Sequence, residues 1–144
     1  MTSENITEIT NVLYSLTQYE IDKSFIVSQA LTNTRNQILR ENLLKIREET
    51  EKDIDKLSLL LEQYGKKPPE HSVDFKGFFM QGYVGMRGFI SDQGILKALH
   101  TNMQIIMNAF EKALEDSLSE EVKEKIRSVQ ENSRQHLNYF AAQI

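Results

Sequence analysis

The sequence predicts an all-α fold: four long helices in two antiparallel hairpins, with a short extra helix in the long crossover between them. Three observations predict it. Apolar residues recur at three- and four-residue steps along four separate stretches, a spacing that gathers them on one helical face. The only two prolines are adjacent, at 68 and 69, so the stretches on either side run unbroken. No stretch alternates apolar and polar residues as a half-buried strand does. The chain has 144 residues, which fits one domain over 1–144 with a real core.

The first helix is expected over 3–31, with Ile9, Leu13, Leu16, Val27 and Ala30 on its apolar stripe. Thr32, Asn33 and Thr34 form a polar turn rich in N-cap candidates. The second helix is expected over 35–64, with Leu39, Leu43, Ile46, Leu57, Leu60 and Tyr64 inward. Gly65 offers a left-handed C-terminal cap, and Pro68-Pro69 forbids continuation. A turn this short makes the two helices an antiparallel pair.

The connection over 66–94 differs in kind. A polar loop carries the exposed His71, and Ser72 is a candidate cap for a short helix over 73–91. Four of the six glycines fall here, at 77, 82, 85 and 88, among Phe78, Phe79, Tyr83 and Phe89. Three glycines at three-residue steps line one face and let another backbone come close, so close packing in the connection is expected. A connection of this length can return along the bundle, leaving the second and third helices parallel. The third helix is expected over 95–116, with Leu96, Leu99, Met103, Ile106, Phe110 and Ala113 inward, and His100 beside that stripe as a candidate for a partner interface. Ser117 and Glu120 read as a capping box opening a fourth helix over 119–142.

Composition excludes several classes of function. There are no cysteines, hence no disulfide, thiolate metal site or thiol catalysis. The net charge is −4, and bases alternate with acids as in Lys123-Glu124-Lys125, so nothing is clustered for nucleic acid. The acidic run from Arg47 to Asp53 reads as a solvated face. The N-terminus lacks a basic region followed by an apolar run, and the longest mostly apolar stretch, 78–90, is about half of a membrane span. A cytoplasmic location is the expectation.

On three of the four stripes the inward face turns polar midway. Glu20 interrupts the first, Thr50 and Asp53 the second, and Ser133 and His136 the last. Polar groups in the core of a bundle are costly unless paired or ligating. Glu20, Asp53 and His136 therefore either hold one divalent ion, zinc, manganese or iron, with water, or form a buried hydrogen-bonded or ionic cluster with Thr50, Ser133 and Lys23.

Several segments resemble a known family. The run Leu60 to Pro68, the segment Ser72 to Met80, the run Ala109 to Asp116 and the position of His136 are similar in order and spacing to the bacterial DUF2383 family of unknown function, within the ferritin-like superfamily. The resemblance implies a ferritin-like four-helix bundle. Di-iron members of that superfamily use two Glu-x-x-His pairs and two further glutamates. This chain has no Glu-x-x-His. The corresponding positions hold Thr50 and Asp53, Ser133 and His136, and Met103, and only Glu20 keeps its carboxylate. The resemblance thus implies a bundle without the di-iron ligand set. The expectation is a non-enzymatic protein with an interaction or structural role, a homodimer, and no cofactor beyond one divalent ion if Glu20, Asp53 and His136 hold it. A peripheral membrane protein using 75–90 is the other alternative.

Overall fold

The computed structural model describes residues 3–71 and 91–144. They form four helices: α1 (Ser3–Asn33), α2 (Gln37–Gln63), α3 (Asp92–Leu114) and α4 (Glu120–Gln143). No strand occurs among the described residues. The short helix expected over 73–91, with its glycines and aromatics, lies outside them.

The result is an all-α four-helix bundle. α1 packs against α2 and α3, and α4 packs against the same two, so α1 and α4 face each other across a diagonal. Side-chain pairs fix the directions. Glu49 faces His136, Asp53 faces Asn132 and Lys56 faces Ser128, so α2 and α4 run antiparallel. The Asp92 carboxylate accepts hydrogen bonds from the backbone N–H groups of Arg35 and Asn36, at 3.0 and 2.9 Å. The starts of α2 and α3 therefore lie at one end of the bundle, and the two helices are parallel. A parallel return needs a long crossover, which the connection supplies.

The apolar stripes form the core as the periodicity implies. Ile9, Leu13, Leu43, Leu57, Leu99, Phe110, Ile126 and Phe140 are all within 1% of complete burial. Each such side chain contributes roughly 1.5–3 kcal/mol by leaving water.

Helix ends follow local chemistry that differs from the sequence expectation at four places. α1 runs two residues further, to Asn33, because the Thr34 hydroxyl donates to the Ala30 carbonyl at 2.6 Å and the Arg40 guanidinium binds the Leu31 and Thr34 carbonyls. The cap of α2 is Asn36, whose side-chain oxygen accepts from the Leu39 N–H at 2.9 Å. α3 begins at Asp92, three residues early, because Ser91 caps it through the Gly94 N–H. The capping box on Ser117 does not form. Ser119 caps α4 instead, accepting from the Val122 N–H, with Glu120 and Glu121 in the first turn.

The end of α2 follows the sequence. Gly65 has φ of 81°, its N–H donates to the Glu62 carbonyl, and the Lys66 N–H donates to Leu61. These two bonds make a Schellman cap. Among the described residues no helix is long and apolar enough to cross a membrane.

Candidate functional site

The polar layer at mid-bundle is built from residues three apart on two diagonal helices. That spacing places Glu20 and Lys23 on one face of α1, and Ser133 and His136 on one face of α4. Because α1 and α4 do not pack side by side, only a long side chain bridges them. Lys23 does so. Its Nζ donates to Ser133 Oγ at 3.3 Å and to His136 Nδ1 at 2.7 Å, and lies 3.7 Å from Glu20 Oε2. Ser133 in turn donates its hydroxyl proton to Glu20 Oε1 at 3.3 Å. Glu20, Lys23 and Ser133 are completely buried, and His136 is 3% exposed.

This geometry fixes protonation. An ammonium only donates, so His136 Nδ1 carries a bare lone pair and the ring proton sits on Nε2. Nε2 faces Glu49 Oε2 at 3.7 Å, beyond a hydrogen bond. Burial, and then the Lys23 charge, push the imidazole down to about 3. Burial pushes the Glu20 carboxyl above its ordinary value; Lys23 draws it back and Asp53 adds to the rise. Burial also raises Asp53, while the hydrogen bond from Asn132 opposes that rise.

Of the three candidate ligands, Glu20 and His136 are brought to the same nitrogen. Asp53 is buried nearby, but both its oxygens accept from Asn132 Nδ2, at 2.9 and 3.2 Å. Thr50 is also buried in the layer, yet its hydroxyl is spent on the Ile46 carbonyl of its own helix at 2.7 Å. Met103 is wholly buried on α3.

The donor set is poor for a metal. Among the described residues no three His, Asp or Glu side chains converge closely enough to hold an ion. The point on which Glu20 and His136 do converge is filled by the Lys23 ammonium. The arrangement therefore does not fit a di-iron centre, and it fits a single ion only if Lys23 withdraws. Closed to solvent, the layer can store opposite charges and fix the register of α1 against α4.

Some polar residues were not legible in the sequence. Asn132 and Glu49 enter the layer only through the α2–α4 register, which no single-helix periodicity gives. Asn102 is wholly buried on α3, with no hydrogen-bond partner among the described residues for either amide atom. His71 is half-exposed as its loop position implies, but it lies 3.1 Å from Glu51, which also accepts from Ser24 at 2.6 Å. His100 is half-buried. Along the run Arg47 to Asp53, Thr50 and Asp53 turn inward and the rest are at least partly exposed.

A separate groove of about 360 Å³ opens between the first half of α1 and the last half of α3, lined by Asn11, Val12, Tyr19, Ala109, Lys112 and Asp116. None of the residues of the polar layer lines it.

A family model described as Domain of unknown function (DUF2383) matches residues 8–116. The match spans α1 to the end of α3 and stops before α4, so Ser133 and His136 lie outside it. No curated protein matches the chain.

Proposed function

The chain belongs to the DUF2383 family, and we propose that it is a non-enzymatic, ferritin-like helical bundle that acts through its surface, in an interaction or structural role. One observation carries this reading: the place where such bundles put reactive metals holds the buried Lys23 ammonium, bonded to His136 and Ser133 and facing Glu20. Glu20, Lys23, Ser133 and His136 are each at most 3% exposed, which shields the cluster from a substrate. The test is metal uptake by protein purified without a tag. After incubation with iron(II), manganese(II) or zinc(II) and desalting, less than a tenth of an equivalent is expected. Close to one equivalent overturns the reading and favours the alternative, a mononuclear site on Glu20, Asp53 and His136.

A homodimer is part of the proposal. Ile38 and Leu59 on α2 are 70% and 61% exposed, and the sequence over 75–90 is rich in aromatics. Light scattering behind size exclusion is expected to give twice the chain mass at tens of micromolar; a clean monomer contradicts it. Flotation with liposomes would reveal the peripheral membrane alternative.

A further inference from the structure

A lysine is an expensive way to fill a core. Taking its charge out of water costs several kcal/mol unless partners repay it, and an apolar side chain of similar volume avoids that cost. Lys23 is among the largest of the fully buried side chains here, and its surroundings suit a cation. Two of the three N–H bonds of the ammonium have acceptors within hydrogen-bond distance, His136 Nδ1 and Ser133 Oγ, and Glu20 Oε2 lies 3.7 Å away as its ion-pair partner. Glu20 Oε2 has no hydrogen-bond partner, only this ion pair. The charge of Asp53 acts on Glu20 from α2, and that of Lys23 acts on both carboxylates.

We propose that Lys23 is the resident cation of this layer. It supplies, on a covalent tether, the charge compensation that carboxylates and an imidazole meeting inside a bundle otherwise draw from a divalent ion. The corollary is a latent metal site. His136 is held neutral by burial, so without the ammonium its ring can offer the Nδ1 lone pair to a metal with no net loss of a proton. Glu20 Oε2 faces the same point. An ion there takes His136 and Glu20 as ligands, with Ser133 and water completing the shell and Asp53 balancing charge. One imidazole with oxygen donors suits zinc or cobalt(II).

This inference rests on the reading that the natural layer is not a working metal centre, and the experiment separates the two. The wild type, K23A and K23A/H136A are stripped with chelator and titrated with zinc by calorimetry, with thermal unfolding followed by circular dichroism. K23A is expected to bind one equivalent and to unfold at a higher temperature when zinc is present. The wild type and K23A/H136A are expected to do neither. If K23A is unfolded alone, zinc is expected to restore its helical signal. K23A that binds no more zinc than the wild type, or stays unfolded with zinc, overturns the inference and leaves the proposed function standing. Wild-type protein that takes up an equivalent overturns both.

Discussion

Lys23, Glu20 and His136 carry the chemistry that sets this bundle apart from an apolar one, and their charges make pH the natural probe. An unfolded histidine takes its proton near 6.5, whereas folded His136 holds off until about 3. Between those values the unfolded chain binds more protons, so His136 costs stability as the pH falls from 6.5 toward 3. Glu20 and Asp53 act in the opposite direction. Their folded pKa values are raised, so they add stability as the pH drops through those values toward the ordinary carboxylate range. H136Q removes the first contribution and leaves the second. Urea unfolding at pH 6.5 and 4.5 is expected to show the variant losing less stability than the wild type over that interval. Parallel losses would mean that His136 is not held neutral. At neutral pH, K23M strands the Glu20 charge in the core and is expected to cost about 3 kcal/mol in the same assay. A loss below about 1 kcal/mol would mean that the ion pair is dispensable.

Single elements report on capping and on how much of it can be read from sequence. The end of α2 was legible because glycine has a unique conformational licence. Gly65 sits at φ of 81°, and nothing lies within 4 Å of where a Cβ would stand. G65A therefore meets only backbone strain, with an expected loss of about 1–2 kcal/mol by denaturant unfolding. The start of α2 was not legible, because residues 32–34 and 36 all carry side chains able to cap, and the structure gives the role to Asn36 while Thr34 closes α1. The choice depends on Asp92, far away in sequence, which holds the Arg35 and Asn36 N–H groups. D92A removes two charge-assisted hydrogen bonds and is expected to cost about 1 kcal/mol. It should also speed hydrogen exchange at those two amides; unchanged protection there would mean that the tie is not formed in solution.

Across the whole molecule, periodicity was enough to place the core and the polar layer, because burial of a helical face is a property of one helix at a time. Glu20, Thr50, Asp53, Ser133 and His136 were all expected inward and all are buried. What periodicity does not carry is the register between helices. It is the α2–α4 register that hands Asp53 to Asn132, and the diagonal placement of α1 and α4 that makes Lys23 the bridge. The same placement turns a set of candidate ligands into a charge cluster.

Whether Lys23 fills the layer in place of a metal is decided most directly by a crystal structure of the untagged protein with anomalous data at the iron, manganese and zinc edges. Lys23 Nζ is expected within hydrogen-bond distance of His136 Nδ1, with no anomalous peak in the layer. A metal peak between Glu20 and His136, with Lys23 swung away from them, would contradict it.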